Sequence, residues 1–147
     1  MRILKRILLV IGVILAVLIL AAAIFLFRPA NVTTSEDFSM VVDPDTVTPT
    51  GASFIVTNNL DSMPSFGTDY HIEKKGLLGW HKLMTQDLIV FSTGSAHALM
   101  PHAEGSIPKD WTYLYGPLPR GTYRLVMEFT NMETRVSCYL GAEFTIP

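Results

Sequence analysis

The sequence predicts an all-β sandwich of about seven to nine short strands, preceded by one N-terminal transmembrane helix. Three observations lead to this fold class. An unbroken apolar run occupies residues 7–27. After residue 37 no window shows a helical period, whereas alternation of apolar and polar residues recurs between turn signals. The remaining ~110 residues are enough for one domain and too few for two.

The apolar run is long enough to cross a bilayer. Its 21 residues rise about 31 Å as a helix, against a hydrocarbon core of roughly 30 Å. Arg2, Lys5 and Arg6 precede the run and Arg28 follows it. The positive-inside rule therefore predicts a cytoplasmic segment 1–6, a single-pass anchor in the cell membrane, and an extracytoplasmic C-terminal part.

A cleaved signal peptide is the alternative for this run. The small residues Ala21, Ala22 and Ala23 suit a signal peptidase, and cleavage after Ala23 would release a secreted regulator. However, apolar residues resume at 24–27, and the whole run exceeds a typical signal core of about 7–15 residues. Both interpretations place the folded part outside the cytosol.

The charge of the exported part excludes one class of partner. Of the 11 Lys and Arg residues three precede the run, so 8 remain against 13 Asp and Glu, a net charge of −5. An acidic domain with scattered bases does not neutralise phosphates, so we expect no nucleic-acid partner. The single cysteine, Cys138, cannot form an internal disulfide and is interpreted as a small apolar strand residue, with a reactive or intermolecular thiol as the alternative.

The elements follow in order behind the anchor. Residues 28–37 are polar and predict a short stalk. Strands are then predicted at 38–42, 52–58, 68–74, 80–84, 88–91, 98–100, 106–113, 122–130 and 138–146. Pro108 confines its segment to a sheet edge or a bulge, and a hairpin is expected to turn about Gly76.

The strand at 122–130 has the clearest alternation. Tyr123, Leu125, Met127 and Phe129 are expected to face the core. In the strand at 68–74 the same pattern directs Tyr70 and Ile72 inward and His71 and Glu73 outward. Trp80 and Trp111 are the bulky residues expected to fill the space between the sheets.

The segment 114–125, LYGPLPRGTYRL, gives the chain a family resemblance. With TPTGASF at 48–54, GTDY at 67–70, IEK at 72–74 and GAEFTI at 141–146, it resembles a family of bacterial immunoglobulin-like domains found in exported and membrane-anchored proteins. The resemblance covers roughly residues 45–147. It implies an immunoglobulin-like sandwich over the domain 38–147, and it carries no catalytic motif to transfer.

One local structure follows from the residues themselves. Pro119 and Gly121 bracket a tight turn that directs Tyr123 into the start of a strand. This is the arrangement of a tyrosine corner, in which the phenol hydroxyl bonds to the preceding backbone.

Two further groups are candidate sites. His71 and His81 would form a metal site with Glu73 or Asp69 if the hairpin placed them opposite each other, and the alternative is that they are solvent-facing polar residues. Leu77 and Leu78 at the hairpin tip, with Tyr113 and Tyr115 near a turn, form a possible binding patch, with core packing as the alternative.

These observations favour a non-enzymatic module. No serine lies in a nucleophile elbow and no glycine-rich loop suits a phosphate. We therefore expect a membrane-anchored binding or structural domain without cofactor, whose partners are the lipid bilayer and an unknown protein or cell-surface ligand. A metal-binding protein that uses His71 and His81 is the alternative from another class.

Overall fold

The chain forms an apolar N-terminal helix followed by two packed antiparallel sheets, in a computed structural model that describes residues 2–86, 96–131 and 133–147. The helix α1 spans Arg2–Leu26. Eight strands follow in the described residues: β1 Phe38–Val42, β2 Gly51–Asn58, β3 Ser65–Gly76, β4 Gly79–Lys82, β5 Ala96–Ala98, β6 Glu104–Asp110, β7 Gly121–Thr130 and β8 Ser137–Ile146. The predicted β-sandwich class and strand number are confirmed.

The strands divide into a small and a large sheet. The three-stranded sheet has the order β1-β2-β6. The five-stranded sheet has the order β4-β3-β7-β8, and β5 pairs with the beginning of β3. Pro108 lies in β6, an edge strand, opposite Ser53, where its missing N–H group costs no ladder hydrogen bond.

The core lies between the two sheets and is rich in aromatic rings. Phe38 of β1 stacks on Phe129 of β7 at 5.8 Å between ring centroids. Phe54 of β2 meets Phe144 of β8 edge-on at 6.1 Å. The inward residues predicted for β7 are all buried, with at most 1% exposure. Each such side chain stabilises the fold by roughly 1.5–3 kcal/mol when it leaves water.

Trp111 fills the space between the sheets, and Trp80 does not. Trp111 is fully buried, stacks on Phe144 at 5.2 Å, and donates its indole N–H to Pro49 O at 2.8 Å. Trp80 pairs with Lys75 across the hairpin and shares the outer face with Glu73. The expectation for Trp80 was wrong because the two-residue turn fixes a register that directs its ring away from the core.

Two other segments differ from the sequence-based expectation. The strand predicted at 106–113 ends at Asp110, and residues Thr112–Tyr115 form one helical turn, α2. The Thr112 N–H bonds to the Asp110 carboxylate at 2.8 Å, which favours the turn over continued pairing. A further short turn of 3₁₀ helix spans Pro44–Thr46. The strand predicted at 88–91 lies outside the described residues.

The turn before β7 holds Tyr123 in place. The Tyr123 hydroxyl donates to Pro119 O at 2.7 Å, and the ring is fully buried between Phe144, at 5.8 Å, and Lys74. This bond closes the turn that Pro119 and Gly121 bracket.

Replacing Tyr123 by Phe tests this bond. The change keeps the ring and leaves Pro119 O without its donor, so we expect the free energy of unfolding to fall by about 1–3 kcal/mol. Urea denaturation of the full chain in detergent, followed by tryptophan fluorescence, measures the loss. Tyr139→Phe on β8, where the ring is 41% exposed, is the matched control and is expected to change stability by less than about 0.5 kcal/mol. Equal effects of the two changes would contradict a structural role for the Tyr123 hydroxyl.

Candidate functional site

A buried ion pair lies on the outer face of the five-stranded sheet. Glu73 of β3 points away from the core, yet its exposed fraction is 0%. Arg124 of β7 sits opposite Glu73 in the register. Its Nε lies 2.7 Å and its Nη2 2.6 Å from Glu73 Oε2. The two strands therefore bring the acid and the base together by simple pairing.

Two further groups approach the other carboxylate oxygen. The Ala30 N–H donates to Glu73 Oε1 at 2.6 Å, and His71 Nε2 lies 3.0 Å from the same atom. Because an ionised carboxylate only accepts, His71 carries its proton on Nε2 here. The hydrogen bonds that the Glu73 carboxylate accepts are thus supplied by the chain itself. This suits a structural anchor rather than a proton-transfer group.

The electrostatics of Glu73 follow from these contacts. Burial alone would raise the pKa of Glu73. The hydrogen bonds from His71, the Ala30 amide and Arg124 outweigh burial and lower the pKa below its ordinary value. The carboxylate is therefore ionised at neutral pH despite its burial.

The segment predicted as a stalk covers this ion pair. The Lys82 N–H donates to Phe27 O at 3.2 Å, just past the end of α1. Ala30 bonds to Glu73, and the Thr33 N–H donates to Tyr139 O at 3.0 Å. Residues 28–37 therefore run across the sheet rather than acting only as a spacer, because the outer face offers them charged and backbone partners.

Shape complementarity supports this docking. Val32 lies over Gly141 of β8, where an added Cβ would come within 3.1 Å of a Val32 methyl group. Gly141 pairs with Val126, whose outward-facing side chain is also fully buried. Sequence reasoning missed this covered face, although an outward valine opposite a glycine was a usable signal.

The hairpin does not place His71 and His81 opposite each other. His71 lies opposite Val126 of β7, whereas His81 lies opposite Lys74. The register puts the two rings on opposite faces of the hairpin, because His81 neighbours Trp80 in β4 and successive side chains alternate. Among the described residues no group of three His, Cys, Asp or Glu side chains is placed to hold a metal ion.

The possible binding patch divides into two places. Leu77 and Leu78 form the turn between β3 and β4 and are each 106% exposed. Gly79 completes that turn with φ 107°, a conformation that favours glycine. Tyr113 lies in α2 and is 75% exposed. Tyr115, at the end of α2, instead packs against β3 and accepts the Ile72 N–H at 3.2 Å.

Burial shifts the titration of two phenols and one thiol. Burial, with smaller effects of Tyr115 and Asp110, raises the pKa of Tyr70 to about 12. Burial also raises the pKa of Tyr115 and of the Cys138 thiol. Cys138 is half-buried against the core, and its thiolate, the reactive form, is disfavoured.

The apolar helix stands apart from the domain core. Lys5–Leu26 has 22 residues and is long and apolar enough to cross a membrane, with mean hydropathy 3.4 over an 18-residue window, none of which is buried. By length and composition it suits an anchor or a signal sequence. Lys5, Arg6 and Arg28 are exposed at its two ends, and Arg2 begins it.

Replacing Glu73 by Gln tests the buried ion pair. The Arg124 cation would be left buried without its anion, so we expect a loss of about 3 kcal/mol in the free energy of unfolding. Urea denaturation of the full chain in detergent measures the loss. Glu143→Gln is the matched control, since Glu143 lies opposite Arg124 on β8 but is exposed, and we expect a change under about 0.5 kcal/mol. A similarly small loss for Glu73→Gln would contradict the structural role.

The lowered pKa of Glu73 predicts the pH dependence of this loss. A carboxyl with a depressed pKa stabilises the fold fully above its unfolded pKa, ordinarily 4.5, and this contribution fades as the pH falls through the folded value. The stability gap between the wild type and Glu73→Gln should therefore be constant from pH 5 to 7 and narrow below about pH 4.5. Denaturation at a series of pH values measures this difference in stability. A difference that grows in acid would contradict the lowered pKa of Glu73.

Comparison with known proteins identifies the domain. The sequence profile described as bacterial Ig-like domain matches residues 34–145, most of the chain and nearly all of the two sheets. A search of the curated proteins finds no match. The matched range begins within residues 28–37, the docked segment that covers the ion pair. It includes Glu73, Arg124 and the Tyr123 turn. The chain therefore belongs to the bacterial Ig-like domain family and carries an apolar helix before the family domain.

Proposed function

We propose that this chain is a single-pass membrane protein that presents its Ig-like domain outside the cytoplasm as a non-enzymatic binding or structural module. The observation that carries the proposal is the junction between helix and domain. The apolar helix is unburied along its length, and the residues directly after it are bonded to the sheet. An apolar helix with no protein to cover it is suited to lipid.

Charge supports the orientation. Arg2, Lys5 and Arg6 lie before the apolar run and Arg28 after it. The excess of bases favours a cytoplasmic N-terminus, and the domain is then extracytoplasmic. The exported part has a net charge of −5, which argues against a nucleic-acid partner.

The docked segment defines how the module would work. Hydrogen bonds at Phe27, Ala30 and Thr33 hold the chain on the outer face within a few residues of the helix. The domain would therefore sit at the membrane surface in a restricted orientation rather than on a freely swinging linker. Its partner would be a protein or a cell-surface ligand recognised by shape, and no cofactor is required.

Membrane fractionation tests the anchor. We expect the intact chain to stay in the membrane pellet at alkaline pH, to keep Met1 or Arg2 as its N-terminus by mass spectrometry, and to lose its domain to protease added outside the cell. The double change Ile14→Lys and Leu18→Lys should release it, since each charge at the helix centre costs about 2.5–3.5 kcal/mol. Ile14→Leu with Leu18→Ile is the matched control.

Two outcomes would overturn the proposal. A mature N-terminus at Ile24 would show cleavage after Ala23 and favour a secreted regulator instead. A domain protected from external protease in intact cells, but cleaved after lysis, would show the reverse orientation.

A further inference from the structure

The turn between β3 and β4 exposes two apolar side chains completely. Leu77 and Leu78 are each 106% exposed, so neither side chain rests on the domain. The turn is held by the short β4, whose Gly79 pairs with Gly76. Fully exposed leucines at a hairpin tip are unfavourable in water and mark a surface that something else covers.

We propose that this hairpin tip inserts into the headgroup region of the bilayer that α1 crosses. The inference rests on the proposed membrane anchoring by α1 and adds a second contact between the domain and the lipid. Three observations support it: the chemistry of the hairpin, the point at which the helix joins the sheet, and the direction of the chain after the helix.

The hairpin has the composition of a membrane interface. Residues 74–82 contain three lysines, Lys74, Lys75 and Lys82, and no Asp or Glu, although the exported part as a whole has a net charge of −5. Trp80 lies beside the tip, half-buried, with the Lys75 ammonium 5.5 Å from its ring centroid. Leucine in the acyl boundary, tryptophan at the headgroups and lysine near phosphates is the usual order at a bilayer surface.

The helix joins the sheet near the tip. Phe27, the residue after α1, accepts the backbone N–H of Lys82, the last residue of β4. Lys82 is four positions after Leu78 in the sequence, about 13 Å along a strand. Thr130 lies at the opposite end of β7, six residues beyond Arg124. It is therefore about 20 Å from the junction, in the direction away from the tip.

After the helix the chain moves away from the tip. Ala30 bonds at the level of Glu73, Val32 lies over Gly141, and Thr33 bonds to Tyr139. The register places the tip beside the other end of β8, where Ile146 pairs with Gly121. The chain exits the membrane at the end of the helix and then runs outward. The hairpin end of the sheet is therefore the end nearest the lipid.

Fluorescence quenching in nanodiscs tests the insertion. The full chain is reconstituted in phosphatidylglycerol and phosphatidylcholine, with an environment-sensitive dye on Leu78→Cys in a Cys138→Ser background. We expect a blue-shifted emission and at least threefold stronger quenching by lipids spin-labelled near the headgroup than at the control, Val136→Cys. Val136 is also apolar and exposed, at 64%, but lies in the turn at the far end of the same sheet.

The unlabelled protein supplies a second measurement. It contains two tryptophans, of which Trp111 is fully buried and Trp80 lies beside the tip. Lipids brominated in the upper acyl chain should quench Trp80 and spare Trp111, and Trp111→Phe assigns the signal. Reversing two charges, with Lys75→Glu and Lys82→Glu, should lower the quenching severalfold.

The outcomes separate this inference from the anchoring. If the chain resists alkaline extraction but Leu78 and Val136 are quenched equally, the insertion is overturned and the anchor stands. A tip that remains in water in the nanodisc points to a protein partner for the two leucines instead. If the chain does not integrate at all, the proposed function itself fails. Quenching unchanged by charge reversal overturns the role of the lysines.

Discussion

The carboxylate of Glu73 connects the five-stranded sheet to a segment that no sheet ladder joins to it. It joins β3 to β7 through Arg124 and joins both to the segment after the helix through the Ala30 amide. A buried charge of this kind costs several kcal/mol unless its partners surround it. Here the partners come from separate elements, so the ion pair helps to hold residues 28–37 on the outer face of the sheet. Removing the segment would leave Glu73 and Arg124 facing water and would expose Val126.

These contacts give residues 28–37 a role other than that of a free linker. A free polar linker would let the domain sample many orientations over the bilayer. A segment bonded at three points along its length has already lost that freedom during folding, and the orientation of the domain relative to the helix end is defined in advance. Such preorganisation lowers the entropic cost of any later contact that needs the same orientation.

Local patterns were sufficient to predict most of the fold. Alternation of side chains assigned the inner face of β7, since a period of two depends only on neighbouring residues. The hairpin about Gly76 also followed from local turn chemistry. The face on which Trp80 lies did not follow from local patterns. That face depends on whether the turn contains an even or odd number of residues. A shift of one residue reverses every side chain in β4.

The burial of the outer face could not be predicted from the sequence, for a different reason. Glu73 and Val126 alternate correctly as outward residues, and outward residues of an antiparallel sheet usually face water. Their burial depends on a segment that belongs to no strand and lies 43 residues from Glu73, and farther still from Val126, in the chain. His71 contacts Glu73 rather than His81 because residues two apart in β3 share a face, whereas the register places His81 on the other face.

The edge of β3 illustrates a consequence of the small helical turn. β4 is only four residues long, and on that side of β3 the Ile72 backbone has no strand partner among the described residues. Tyr115 accepts the Ile72 N–H and the Leu83 N–H donates to Ile72 O, so a phenol and a loop amide occupy both groups. A sheet edge closed in this way offers little template for another strand. Copies of the domain that come close together would then be less able to pair through this edge of the sandwich.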